Sequence, residues 1–182
     1  MRSAVLRFLQ WLIKLIGNEQ KVSPPQIPSA TPRKHQEQFE RVKRWHRRFA
    51  EIDKGRIHNL PSDFYQDEVY AFFLNCYHLK DWIRNDSTAG AAAAKVEGFI
   101  DATEELRLCA DICNSHKHLI LTRPRSGQNP QFGRRQFGLH LGESETSINV
   151  KYSIETSGGP IDAFELATKC LRAWEAFIAS NL

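Results

Sequence analysis

The spacing of apolar residues changes from a helical period to a strand period and back, and this change most limits the possible folds. Between residues 39 and 118, apolar residues recur every three or four positions, as in helices packed by one face. Between residues 132 and 156 they alternate with polar residues, which predicts a β-hairpin with one solvent-exposed face. The helical period then returns. We expect a mainly α domain, α+β in detail: a four-helix-type bundle with a hairpin inserted before the C-terminal helix.

Capping residues predict where the first two helices begin and end. Thr31 followed by Pro32 suits the start of the first helix, and Gly55 suits its end. Asp63 and Gln66 have the spacing of a capping box, so we expect the second helix to begin there and to run to about position 85.

The third and fourth predicted helices lie on either side of the hairpin. An alanine-rich stretch that we expect to be flexible or weakly helical leads into the third helix, over residues 95–118. The last helix is expected to begin at Asp162, with Glu165 completing a second capping box.

The first 32 residues differ from the rest of the chain. In residues 1–18 the polar side chains recur at helical spacing along a narrow stripe, and all other faces are apolar, which predicts an amphipathic helix. It is too short and too charged to span a bilayer, so it must dock on its own domain, pair with another chain or lie on a membrane surface. Residues 19–32 are a proline-rich linker, and residues 33–182 are the predicted helical-bundle domain.

Positive charge is concentrated in the first third of the chain. Residues 1–60 contain 13 Lys and Arg against 5 Asp and Glu, whereas residues 61–182 contain 12 against 16. Anionic partners are therefore expected to meet the N-terminal part. A solvated helix face is one interpretation of these cations, and a surface that follows phosphates is the other. The candidate nucleic-acid-binding residues are Arg41, Arg44 and Arg48 on the first helix, with Arg123 and Arg125 in a loop.

The four cysteines predict buried thiols rather than a disulfide framework. All four fall beside apolar neighbours in predicted helices, which suits a reducing cytoplasm. Cys109, Cys113 and His116 would align on one helix face as metal donors. Zinc sites, however, usually take closely paired ligands from two or more segments. We therefore predict no metal and no cofactor.

The stretch CNSHKH, from Cys113 to His118, closes the third predicted helix with unusually polar side chains. Asp111, Asn114 and His118 follow a three-and-four spacing that places them on one edge of the helix. A matching polar edge occurs on the second helix. One interpretation is a polar network that is satisfied where the two helices pack. That network would contain His78, Asp81, Asp111, Asn114 and His118.

The same stretch resembles the motif of HEPN domains, helical bundles whose core helix ends with an Arg, often an Asn next, and a His four to six residues after the Arg. Aligning Asn114 and His118 with this motif puts Cys113 where the Arg should stand. Many HEPN domains are metal-independent endoribonucleases that act as dimers. The resemblance therefore implies a homodimer that meets RNA. Its candidate catalytic residues are His118, Asn114, Lys117 and Asp111.

The departure at Cys113 changes what the resemblance implies. In the family the Arg is expected to stabilise the charge on the scissile phosphate, which a thiol cannot do. Lys117 brings a cation close in sequence but lacks the bidentate fork of Arg. A degenerate member that binds RNA without cleaving it is the expected outcome.

Two functional hypotheses follow from the sequence. The first is a cytoplasmic HEPN-like, RNA-associated module of a bacterial defence or toxin-type system. The second is a non-enzymatic interaction protein, peripheral to the membrane or bound to a partner through residues 1–18. The sequence leaves open whether any reaction is catalysed.

Overall fold

A computed structural model of the chain describes residues 33–57, 61–118, 121–142 and 146–182. Over these residues the fold is mainly α with a small antiparallel sheet, which confirms the predicted class at that level. The helices are α1 (Lys34–Lys54), α2 (Ser62–Asn85), α3 (Ala92–Ala102), α4 (Glu104–His118) and α5 (Ala163–Asn181). The strands are β1 (Arg56–Ile57), β2 (Gln131–Leu141), β3 (Thr146–Thr156) and β4 (Gly159–Asp162).

Several expectations fall outside the described residues. They are the amphipathic helix 1–18, the linker 19–32 and the helix start at Thr31-Pro32. Within the part of the chain that the structure describes, no helix has both the length and the apolar character needed to cross a bilayer.

The helices surround one apolar core. Helix α1 packs against α2 and α5, α2 packs against α4, and α4 packs against α5, while α3 covers α2 and α4. Burial of large apolar side chains at these contacts is the main favourable term in folding. The largest fully buried side chains include Trp174, Tyr65, Phe49, Phe72, Phe73, Leu79, Ile83 and Ile100.

Helix α1 shows how the apolar stripe of the sequence becomes a buried face. Val42, Phe49 and Ile52 are fully buried, and Phe39 and Trp45 are partly buried against the same core. The helix ends at Gly55, whose φ of 115° lies in the left-handed region that favours glycine. Its N–H donates to the carbonyl of Glu51 at 2.9 Å, so the predicted helix end is confirmed.

The start of α2 differs from the prediction. The helix begins at Ser62, with Pro61 at the N-cap, and no side chain accepts a capping hydrogen bond there. Asp63 lies inside the first turn, so the expected capping box of Asp63 and Gln66 is wrong. Asp63 is still favourably placed, because a carboxylate in the first turn interacts well with the helix dipole.

The third predicted helix is broken into two. Residues 95–118 belong to α3 and α4, which are separated by Thr103 with φ −114° and ψ 111°. The hydroxyl of Thr103 donates to the carbonyl of Phe99 at 2.8 Å and so satisfies one of the carbonyls in the last turn of α3. The alanine-rich stretch, expected to be flexible or weakly helical, forms the first turn of α3 from Ala92, since alanine has the highest helix propensity.

The sheet has the strand order β1-β3-β2, and β4 also pairs with β3. All pairs are antiparallel, and β2 with β3 covers the stretch where the sequence predicts a hairpin. Val150, Tyr152 and Ile154 of β3 are buried, so the predicted face of this strand is the one that packs on the helices. Strand β4 was not anticipated, because Gly158-Gly159 looks like a break rather than a turn between paired strands.

Helix α5 begins as the sequence predicts. The backbone N–H of Glu165 donates to Oδ1 of Asp162 at 2.8 Å, which satisfies one of the free amides at the helix start. Cys170, Trp174 and Phe177 then form its buried side.

Candidate functional site

Asp111 is the most deeply buried member of the predicted polar cluster, with 1% of its surface exposed. Its carboxylate accepts the backbone N–H of Arg125 and of Ser126, both at 2.7 Å, and the hydroxyl of Ser126 at 2.6 Å. Two amides and a hydroxyl from one loop therefore satisfy a charge that would be costly to bury alone. Asp111 therefore holds the loop after α4 against the core, and both of its carboxylate oxygens are used in this contact.

The same loop is held a second time by the side chain of Arg125. Its guanidinium contacts Glu97 at 2.6 Å and Asp101 at 2.8 Å, both on α3. This arginine was a candidate for binding RNA, but its charge is already neutralised within the domain. Arg123, the other loop candidate, is exposed and has no ion pair with the described residues.

The position aligned with the HEPN arginine points into the protein. Cys113 is buried, with its sulfur 4.0 Å from Nε2 of His78 on α2. Burial raises the pKa of the Cys113 thiol to about 11, with Cys76 and Asp81 adding to the effect. A neutral thiol in the core cannot stabilise a phosphate charge.

His78 therefore contacts α4 at Cys113 and not at Asp111. Asp81 accepts from Lys80 at 3.2 Å, and Lys80 also donates to Glu97 at 3.0 Å. The side-chain amide of Asn85 also donates to the backbone carbonyl of Asp81 at 2.8 Å. Among the described residues no hydrogen bond joins His78 or Asp81 to Asp111, so the five predicted members do not form one network.

The last turn of α4 carries the remaining candidates. Lys117 and His118 are exposed and Asn114 is half-buried. Over the described ranges none of the three forms a hydrogen bond with Asp111, His78 or Asp81. His116 is exposed but not free of contacts, since its ring lies 4.3 Å from that of Tyr70, centroid to centroid.

The arginines of α1 form a more coherent surface. Arg44, Arg47 and Arg48 are exposed, and no acidic side chain of the described residues pairs with them. The guanidinium of Arg48 lies 4.7 Å from the ring centroid of half-buried Trp45, a cation–π contact that holds the indole at the surface. We call Arg44, Trp45, Arg47 and Arg48 the α1 basic surface. They line an open groove of about 460 Å³ together with Arg41 and Glu51.

Arg41 is at the edge of this surface and is partly neutralised. It donates to Glu37 at 2.9 Å and to Gln38 at 2.7 Å, and its guanidinium lies 5.4 Å from the ring of Trp82. The sequence singled out Arg41, Arg44 and Arg48. The sequence did not single out Trp45, which is half-buried against the core and also lines the groove.

A buried hydrogen-bonded pair that the sequence did not reveal connects the ends of two helices. Oδ2 of Asp86, just after α2, accepts the backbone N–H of His35 at 3.0 Å and lies 2.7 Å from its Nδ1. Oδ1 accepts from the N–H and hydroxyl of Thr88 at 2.9 and 2.7 Å. A carboxylate is thus placed on the first turn of α1, where the helix dipole favours negative charge. His35 lies seven residues before Val42, so its helical spacing was a usable signal.

The cysteines are free and buried, as predicted. The candidate metal triad of Cys109, Cys113 and His116 is not assembled, because Cys113 faces His78 and His116 lies on Tyr70. Cys109 instead meets Cys76 and Cys170.

Comparison of the chain with protein-family models, with curated proteins and with solved structures gives no match.

Proposed function

We propose that this chain is an HEPN-like helical module that binds single-stranded RNA on the α1 basic surface and does not cleave it. The observation that carries the proposal is the set of three exposed arginines without acidic partners, among the described residues, around a half-buried tryptophan. Arginines neutralise phosphates whatever the base sequence, and an aromatic ring offers a stacking platform to an unpaired base.

The arrangement of the helices is compatible with the proposed relationship. Helices α1, α2, α4 and α5 contact one another in a closed ring, α1 to α2 to α4 to α5 and back to α1. This ring supports a four-helix-type bundle, with α3 as an addition beside it and the sheet on one side.

The environment of α4 favours binding over cleavage. Cys113, at the position of the motif arginine, is buried, and Asp111 is occupied by three hydrogen bonds from the loop. His118 and Lys117 are exposed and can contact RNA. Within the described structure, no buried acid lies beside His118 to orient it as a general base, and no arginine lies beside it to stabilise the phosphate charge.

The proposal is tested by RNA affinity as a function of salt. We expect Arg44→Ala/Arg47→Ala to weaken binding of a labelled single-stranded RNA by about tenfold or more, measured by fluorescence anisotropy. Because this variant neutralises two fewer phosphates, the slope of log affinity against log salt should fall by about 1.4.

A matched control removes the same charge elsewhere. Lys34 and Arg172 are exposed and have no ion pair in the described part of the chain, so Lys34→Ala/Arg172→Ala changes the net charge equally. Its RNA affinity should stay close to that of the wild type. Equal weakening in both variants would show that only net charge matters and would overturn the α1 surface as the binding site.

We also propose that the chain forms a homodimer through strand β2. This strand is at the edge of the sheet, and Phe137, Leu139 and Leu141 on one face are exposed by 60%, 60% and 78%. An exposed edge with a row of apolar side chains is a ready template for another strand. Antiparallel pairing of β2 with its own copy is symmetric, and centred on Gly138 it places Phe137 opposite Leu139 of the second copy.

The dimer is tested by molar mass in solution. The wild type should have a molar mass of twice the 20.9 kDa of one chain, and Leu139→Lys should have the molar mass of one chain. Gln136→Lys, an exposed position on the opposite face of β2, is the control and should stay dimeric. A wild type with the mass of one chain, or a dimeric Leu139→Lys, would contradict the interface.

A further inference from the structure

Three cysteines from three helices meet in the core. Cys76 of α2, Cys109 of α4 and Cys170 of α5 are fully buried, and their sulfur atoms all lie within 4.8 Å of one another. These residues are far apart in the sequence, so the arrangement is a product of helix packing and not of a local motif. We call these three residues the sulfur triad.

The polar contacts around the sulfur triad give its members different roles. The thiol of Cys109 contacts the carbonyl of Phe73 at 3.5 Å, and that of Cys170 contacts the carbonyl of Glu105 at 3.2 Å. Burial raises the pKa of both thiols well above the usual range. Cys76 differs from both, because among the described residues no carbonyl accepts a hydrogen bond from its thiol.

Trp174 provides a second, independent observation. Its side chain is fully buried, and within the described structure its indole N–H has no hydrogen-bond partner. The indole lies beside Cys76. A donor in the core without a partner requires an explanation, and a thiolate held at Cys76 by a bound ion would supply one.

We propose that the sulfur triad binds a soft, thiophilic ion in three-coordinate geometry, with Cu(I) and trivalent arsenic as the two chemistries that fit. Thiolates select soft ions. With an ion-to-sulfur distance of about 2.3 Å, a planar trigonal site needs sulfurs about 4 Å apart, and the sulfur atoms of the triad all lie within 4.8 Å of one another. The site draws on three separate helices, so the bound ion would tie α2, α4 and α5 together.

The charge balance is consistent with a buried site. Cu(I) displaces one thiol proton to solvent and its positive charge offsets that thiolate, so the site stays neutral while the other two sulfurs coordinate as thiols. Arsenous acid condenses with the three thiols, forming three arsenic–sulfur bonds and releasing its three hydroxyl groups as water with the three thiol protons. That product is neutral, which limits the cost of placing it in an apolar core.

A row of soft donors leads from the surface to the sulfur triad. His78 is exposed, and its Nε2 lies 4.0 Å from the sulfur of Cys113. Cys113 follows Cys109 by one turn of α4. An arriving ion can therefore be passed from the imidazole to Cys113 and then to the triad by ligand exchange.

The test uses the full chain, reduced and kept without oxygen. Cu(I) is titrated against a coloured chelator that competes for it, and arsenite binding is followed by native mass spectrometry. We expect one ion per chain and a rise in melting temperature with at least one of the two ions. Cys170→Ser should abolish that uptake, whereas Cys113→Ser should keep the stoichiometry and slow the uptake.

Each result decides the proposal. No uptake of either ion by the folded wild type, or unchanged binding in a folded Cys170→Ser, would overturn it. The wild-type measurement does not depend on any variant folding. Uptake of Cu(I) alone or of arsenite alone identifies the ion, and equally tight Zn(II) binding, with a preference for four ligands, would contradict three-coordination.

Discussion

Asp111 and His118 lie two turns apart on the same edge of α4, yet their surroundings are opposite. Asp111 is buried and accepts three hydrogen bonds from the loop that follows the helix. His118, at the last turn, is exposed. Both are polar residues at helical spacing, and nothing in that spacing indicates that one is covered and the other is not.

The difference is produced by the loop around Arg125. The backbone of this loop covers the edge of α4 at Asp111, and the side chain of Arg125 contacts Glu97 and Asp101 on α3. A polar residue covered in this way contributes to stability, whereas one at an open helix end is available to a partner. Substitutions at covered polar residues should therefore cost much more stability than substitutions at open ones.

Asp111→Ala should lower the free energy of unfolding by about 3 kcal/mol. Two backbone amides and a hydroxyl would lose a charged acceptor in a buried place. Urea denaturation followed by circular dichroism measures the change. Asp111→Asn, which keeps one carbonyl oxygen, should lose about half as much, and a loss below about 0.5 kcal/mol in the alanine variant would refute the anchoring role.

Asp86→Asn should cost about 2 kcal/mol at neutral pH, and the cost should depend on pH. Burial opposes ionisation of Asp86, but hydrogen bonds from His35 and Thr88 outweigh it and hold its pKa below the usual range. The contribution of the carboxylate is therefore complete above about pH 4 and is lost as the pH falls towards the folded-state pKa.

Unfolding curves recorded from pH 7 to about pH 2 measure this effect. The difference in stability between the wild type and Asp86→Asn should narrow steadily as the pH falls below about 4, because protonation of the unfolded state removes the advantage of the charge. A difference that stays constant over the whole range would mean that the charge of Asp86 is not what stabilises the contact with His35.

His118→Ala should have the smallest effect. An exposed side chain at a helix end contributes little, so the free energy of unfolding should change by less than about 0.5 kcal/mol. RNA affinity should stay near that of the wild type, since the α1 basic surface is unchanged. Denaturation and anisotropy on the same sample give both values, and a large loss of stability would show that His118 is packed after all.

Features that depend on neighbouring residues in the sequence were predictable. The cap of α5 by Asp162, the end of α1 at Gly55 and the buried face of β3 all follow from local spacing. The break at Thr103 was missed because the apolar spacing continues across it and no glycine or proline marks the end of α3.

Features that depend on distant residues were not predictable. Asp86 with His35, Asp111 with its loop and the sulfur triad each join segments whose approach is set by tertiary packing. The sequence therefore predicted which polar residues belong to the candidate site, but it did not predict which of them are buried and which are exposed. The exposed arginines of α1 were predictable because a long helix with one apolar face must turn its other faces to solvent.

Whether this protein binds RNA and leaves it intact is best decided by incubation with an end-labelled RNA mixture. Wild type and His118→Ala are compared at equal concentration, with products separated on a denaturing gel and binding measured on a native gel. We expect full-length RNA with both proteins and equal retardation on the native gel. Cleavage by the wild type that disappears in His118→Ala would contradict the proposed function.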